Sequence, residues 1–256
     1  MASEEPEAPY AIRQFELDVL IPIEAFGLDL SLTTSAQAMI TTVILVSSYL
    51  MFSMRQGALV PSRMQSTAEL VYAFVARTVV KTAGPEATSA IPFVFCLFVF
   101  ILFGSLLGLT PIKFTFTSHL VVTLALSFAV FTYVNALALY KHGAGFFRFF
   151  LPAGTPIYLA PILVLIELIS YLFRPITLGV RIFANILAGH IMIKLFADFC
   201  VMLTEALGAT GMGLSLVPVL MMAVLYGFEV MIFLVQSYIF ILITSELFIT
   251  CTAKDS

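Results

Sequence analysis

The side chains best suited to chemistry in this 256-residue chain stand in two otherwise apolar stretches. The first holds Glu167, Arg174, Arg181, Asn185, His190, Lys194 and Asp198, and the second holds Glu229, Gln236 and Glu246. An ionisable group at mid-membrane depth costs at least ~2.5–3.5 kcal/mol on insertion scales, so such a cluster marks an ion or proton path. Glu167, His190 and Glu229 are of the side-chain types that take up and release protons. Asn185 and Gln236 hydrogen-bond without titrating. Arg181 does neither: a guanidinium keeps its proton below a pH of ~12, so it can act only as a fixed charge. Ile182, Phe183, Ile186 and Leu187 surround it and no acid lies within one turn. Its counter-charge must come from elsewhere in the chain or from a partner.

Helical spacing sorts these residues. At about 100° per residue, Asn185 lies close to the Arg181 face, one turn on, and Glu167 returns to that side about four turns earlier. Glu229 and Gln236, seven apart, share a face of the last stretch, whereas His190 falls on roughly the opposite face from Arg181. Gly179, Ala184, Ala188 and Gly189 are small enough to let another helix approach closely, which favours a partner's helix over ordinary packing within this chain. Simpler readings stand beside some of these positions. Arg174, before Pro175, suits a cation reaching for the interface; Glu246 suits an acid reaching headgroups; Lys194 and Asp198 suit an i, i+4 helix pair.

The elements that must position them are membrane helices. Hydrophobic residues make up 61% of the chain and charged residues 11%, against roughly 45–50% and about 25% in soluble domains. The pattern predicts an all-α membrane protein in a single domain. It has a first span at about 30–55, a surface amphipathic helix at 62–83, a transmembrane hairpin at 87–112 and 118–140, and a long helix pair at 155–205 and 211–252. In the surface helix, Leu70, Phe74 and Val71 form an apolar stripe among Arg63, Glu69, Arg77 and Lys81, which suits a helix lying along a membrane or packed on its own protein. Arg55, Arg63, Arg77 and Lys81 in the first connection, with Lys141 and Arg148 in the third, place those connections on the cytoplasmic or matrix side. The acidic N-terminal segment then lies outside and the C-terminus inside.

Other functions find little support. A net charge of −3 without a basic run argues against a nucleic-acid partner. Cys96, Cys200 and Cys251 match neither a disulfide framework nor a zinc site and read as small packing residues. No cofactor or metal is expected. No Gly-rich phosphate loop occurs, so no catalytic site is expected in this chain. The N-terminus lacks the pattern of a cleavable signal. A free-standing channel or secondary carrier, with Arg181 binding an anion or pairing with Glu229, is weakened by the lack of an internal repeat. A structural scaffold leaves the two polar stripes without a reason.

The run from Arg174 through Pro175, Thr177, Leu178, Arg181, Asn185, Ala188 and Gly189 to His190 resembles the signature of subunit a of F-type ATP synthases, R-P-x-S/T-L-x-x-R-L-x-x-N-x-x-A-G-H/E. Blocks at 59–69, at 108–111 with 116–119, and at 151–156 with Glu167 resemble the same family in the same order. Lys113 and the segment around it depart from the family's pattern. The resemblance implies two long tilted helices curved around a rotating c-ring, with a peripheral stalk of b-type subunits and the remainder of the synthase as further partners. It implies that Arg181 faces the ring carboxylates, with Asn185 and Gln236 as polar neighbours. It further implies that Glu167 belongs to the cytoplasmic or matrix half-channel and His190 and Glu229 to the opposite one, with His119 nearer its mouth. The order His then Glu is that of the alphaproteobacterial and mitochondrial branch. A bacterial plasma membrane is therefore expected, with the mitochondrial inner membrane as the alternative.

Overall fold

The computed structural model describes residues 19–22, 24–25, 28–29, 31–55, 61–109, 117, 119–143 and 158–252. The sequence blocks at 110–116 and 144–157, with Lys113 and Arg148, lie outside the described residues. Among the described residues, five helices are long and apolar enough to cross a membrane, lying within Thr34–Met54, Ala87–Gly108, Leu120–His142, Ala160–Leu207 and Thr210–Ile249. The membrane body is all-α. Before it come two small antiparallel ladders that the hydrophobic pattern did not suggest. Strands β1 (Val19–Ile21) and β4 (Leu32–Thr33) pair with each other, as do β2 (Glu24–Ala25) and β3 (Leu28–Asp29). Helix α1 therefore begins at Thr34 rather than at residue 30 and runs to Met54. Thr33 caps it, its hydroxyl oxygen accepting from the Ala36 amide at 3.4 Å.

Helix α2 (Arg63–Ala83) starts on the Ser62 hydroxyl, which accepts from the Gln65 amide at 3.3 Å, and stops at Gly84, whose φ of 83° favours glycine. One face of it packs on the protein, and this face is not the predicted stripe. Ala68, Val75, Thr78 and Val79 are buried against the protein, while Leu70 and Phe74 stay exposed beside Arg77 and Lys81. Ser53 near the end of α1 donates to the Met64 carbonyl at 2.9 Å, tying the two helices together. A 3-10 turn (Pro85–Ala90) leads into α3 (Ile91–Gly108), the most buried span, and α4 (Leu120–His142) follows. Cys96 on α3 is exposed, so it is not the interior packing residue that its setting suggested, and Cys200 donates weakly to the Ser215 carbonyl at 3.8 Å.

Helix α5 (Ala160–Leu207) has 48 residues and α7 (Leu216–Thr252) has 37. At 1.5 Å per residue they are about 72 and 56 Å long. An upright helix needs only about 30 Å to cross a hydrocarbon core, so both must lie steeply tilted or extend beyond it. Gly208 ends α5 at a φ of 56°, and the one-and-a-half-turn helix α6 (Ala209–Leu214) fills the bend that the pattern had merged with the last helix. The buried core joins Phe98 and Ile101 of α3, Val130 and Val134 of α4, Leu178, Ile182 and Ile186 of α5, and Phe233 and Phe240 of α7.

In lipid, helices associate through close packing rather than through the exclusion of water, so small residues matter most. A Cβ added to Gly179 would stand 3.0 Å from both the Leu124 Cα and the Thr123 carbonyl oxygen of α4. These are backbone atoms and cannot turn aside. Gly179→Ala should therefore lower stability by roughly 1–3 kcal/mol, the cost of overpacking. The loss would be read as a lower unfolding temperature of the purified protein and less folded chain in the membrane.

Candidate functional site

Helices α5 and α7 run antiparallel and are joined by three polar rungs. Arg174 Nη1 lies 3.3 Å from Glu246 Oε1; Asn185 Nδ2 donates to Gln236 Oε1 at 3.2 Å; His190 Nε2 lies 3.9 Å from Glu229 Oε1. As the α5 index climbs through 174, 185 and 190, the α7 index falls through 246, 236 and 229. This steady register brings together residues that are far apart in sequence. It also corrects two of the simpler readings. Arg174 and Glu246 are joined in an ion pair rather than reaching separately for the interface, and Arg174 also lies 5.6 Å from the Tyr171 ring centroid. The Tyr171 hydroxyl donates to Asn135 Oδ1 of α4 at 2.6 Å, which extends this end of the site across three helices.

Arg181 lies on the exposed side of α5, with Thr177, Ala184 and Ala188 exposed along the same side. No ion pair joins it to any of the described residues. The contrast with Arg174 matters because the two arginines are seven residues apart on nearly one face. Among the described residues, Arg174 has a counter-charge and Arg181 has none. Only Ala184 and Ala188 of the four small residues look outward. Gly179 meets α4, and Gly189 meets Glu229 of α7.

Pro175 lies inside α5 and cannot donate to the ladder. The Thr177 hydroxyl donates to the Phe173 and Arg174 carbonyls, both at 3.0 Å, adding hydrogen bonds where the helix is interrupted. Along α5, Glu167 stands about 21 Å before Arg181 and His190 about 14 Å after it, at 1.5 Å per residue. Glu167 is half-buried. His190 is turned toward α7, and its partner Glu229 is almost wholly buried, with 4% of its side chain exposed. Neither Glu229 oxygen has a hydrogen-bond partner among the described residues. The Gly179–Leu124 and Tyr171–Asn135 contacts make α4 antiparallel to α5. His119, the residue preceding α4, therefore falls toward the His190 end and not the Glu167 end. Burial lowers its proton affinity from the ordinary value of 6.5, which keeps it neutral at pH 7.

Several polar residues of this region escaped the sequence pattern. Ser237, Thr244 and Ser245 of α7 are buried with Glu229 and Gln236, and Ser127 of α4 is buried too. The hydroxyls of Ser127, Thr244 and Ser245 and the Gln236 amide nitrogen have no hydrogen-bond partner among the described residues. Their spacing of seven or eight residues was a usable signal, because it returns to one helical face. Small hydroxyls are common enough in membrane helices to hide it. Among the described residues no cluster of three or more metal-ligating side chains occurs.

A Cβ on Gly189 would stand 2.6 Å from Glu229 Oε1. That atom ends a flexible side chain, so it can move aside. Gly189→Ala should leave assembly intact yet disturb the His190–Glu229 pair. We expect proton conduction to fall about tenfold, less than the roughly 10²–10⁴ lost when a proton-transfer group is removed outright, measured as dissipation of an imposed pH gradient in vesicles.

The comparisons with known proteins point the same way. The family model for the ATP synthase A chain matches residues 36–249. The chain is 46% identical over 233 residues to ATP synthase subunit a of Chelativorans sp., and 43% identical over 240 residues to that of Maricaulis maris. It is also 43% identical over 233 residues to that of Brucella ovis. Each alignment covers 91% of this chain and 93% of the relative. These relatives are bacterial, and they lend no support to the mitochondrial alternative. The arginine-centred hairpin and these matches together place the chain in the ATP synthase A chain family.

Proposed function

We propose that this chain is the stationary proton-path subunit of an F-type ATP synthase in a bacterial plasma membrane. Arg181 acts there as the fixed charge that a passing c-ring carboxylate meets. The observation that carries the reading is the position of Arg181. It is an exposed arginine with no ion-pair partner among the described residues, between Glu167 on one side and His190 with Glu229 on the other. Left facing lipid, such a charge costs several kcal/mol. A carboxylate brought by another subunit removes that cost, and Thr177, Ala184 and Ala188 leave room for its helix.

The proton route follows from the same geometry. Protons enter past His119 and reach His190 and Glu229, whose oxygens and nitrogens hand them to a ring carboxylate. The buried hydroxyls and amide without partners among the described residues suit a hydrated passage, since water satisfies such groups. Neutralised, the ring carboxyl can turn into lipid without burying a charge. After most of a revolution it arrives on the other side of Arg181. The guanidinium favours its ionised form, and the proton leaves through the half-channel of Glu167. A fixed cation between the two passages also opposes a direct leak. Each proton delivers about 2.3 kcal/mol per 100 mV as rotation, because the two passages are offset around the ring. Asn185 and Gln236 hold the helices in register beside Arg181. The chain does no nucleotide chemistry itself; that belongs to other subunits.

Isolation in mild detergent tests the assignment. The chain should travel with a ring of small hydrophobic subunits and with peripheral-stalk subunits. Recovery of a stable, monodisperse chain by itself would favour a free-standing carrier instead.

A further inference from the structure

A groove of about 530 Å³ lies between α2 and α7, lined by none of the residues that form the polar rungs. Leu70, Phe74, Arg77 and Lys81 form one stripe of α2, and Tyr238 and Leu242 face them from α7. The Phe74 and Tyr238 rings sit 5.7 Å apart. The groove thus has an apolar floor and two cations one turn apart at one end. Both cations are exposed, and no ion pair joins either to a described residue. Leu70, Phe74 and Tyr238 are also exposed. Nothing in the proton path uses any of these residues.

We infer that this groove binds an anionic phospholipid, its phosphate held by Arg77 and Lys81 and its acyl chains laid along Leu70, Phe74, Tyr238 and Leu242. Charge complementarity selects the occupant. Side chains four apart on a helix are neighbours at about 5–6 Å, so two cations can share one phosphodiester. A transmembrane helix of another subunit would offer the floor an apolar match but would leave both cations without a counter-charge. The cations of the first connection also place α2 at the cytoplasmic headgroup level, where anionic lipids concentrate. Basic pockets between membrane helices on that side favour such headgroups, and an amphipathic surface helix supplies the apolar part. The site would fasten α2 to α7 beside the middle rung of the hairpin, at Gln236.

The test uses the intact complex from its own membranes, delipidated and returned to nanodiscs carrying a photoreactive phosphatidylglycerol or its phosphatidylcholine counterpart. Cross-linked peptides are mapped by mass spectrometry. We expect phosphatidylglycerol to label residues 70–82 and 238–242 in preference to phosphatidylcholine. The double variant Arg77→Gln/Lys81→Gln should lose that labelling roughly tenfold or more. Lys141→Gln and the charge-keeping Arg77→Lys/Lys81→Arg should retain it. Equal labelling by phosphatidylcholine, or undiminished labelling of the double glutamine variant, would overturn the proposal. So would displacement by millimolar inorganic phosphate, since the apolar floor would then contribute nothing. The readout does not depend on proton flow, so it stands or falls separately from the proposed function.

Discussion

Arg181→Ala is expected to abolish proton-driven ATP synthesis in membranes where the altered chain still assembles. The expected size comes from electrostatics. A guanidinium and a carboxylate 4 Å apart attract by about 4 kcal/mol at an effective dielectric of 20. Removing that attraction shifts the ionisation equilibrium of a facing carboxyl by about 10³ toward the protonated form. Release of the proton into the proposed Glu167 passage should slow accordingly, and the barrier to a direct leak should fall with it. Arg181→Lys keeps a positive charge, yet its ammonium is a point donor without the planar fork and can lose its proton when desolvated. It should also impair synthesis, though less completely. Synthesis driven by an imposed proton gradient in inverted vesicles measures both effects. Wild-type rates in assembled Arg181→Ala membranes would remove the electrostatic role.

Glu229→Gln should produce the second-largest loss. The substitution keeps the shape of a side chain that is nearly fully buried and removes its exchangeable proton. Deleting a positioned proton-transfer group typically costs about 10²–10⁴ in rate. Proton flux, followed by the collapse of a pH gradient, should fall into that range while assembly is retained. His190 alone cannot restore the path, because its neighbour no longer exchanges protons. Exchanging the two, His190→Glu with Glu229→His, keeps one acid and one imidazole on the rung that is 3.9 Å wide in the unaltered chain. The exchanged chain should conduct better than either single change. Equal flux in Glu229→Gln and in the unaltered chain would mean that protons bypass this rung.

Much of the membrane architecture was legible because it is written in local patterns. Runs of apolar residues longer than a bilayer needs mark helices whatever they later touch, and turn-by-turn spacing put Asn185 one turn from Arg181 and His190 on another face. Pairings between α5 and α7 were not legible, because nothing local links residue 174 to residue 246 or residue 190 to residue 229. They follow from the register of the hairpin, which the bend at 208–215 sets. The same ignorance hid the fates of the small residues. Gly179 and Gly189 read as room for a partner, but close approach of α4 and of Glu229 takes that room within the chain. Ala184 and Ala188 alone keep the outward role. The short strands before α1 escaped notice because two- and three-residue pairings carry no periodicity, and the Tyr171–Asn135 hydrogen bond because it joins helices whose sequence separation is large. The family resemblance supplied roles for Arg181, Glu167 and the His190–Glu229 pair; spacing alone gave only shared and opposed faces.

The account turns on what meets the exposed side of α5 at Arg181. Electron cryomicroscopy of the complex isolated in mild detergent measures this directly. The account predicts that a ring helix covers Thr177, Ala184 and Ala188, with its carboxylate directed at the Arg181 guanidinium. Arg181 facing lipid, or covered by a helix that carries no acid there, would contradict it.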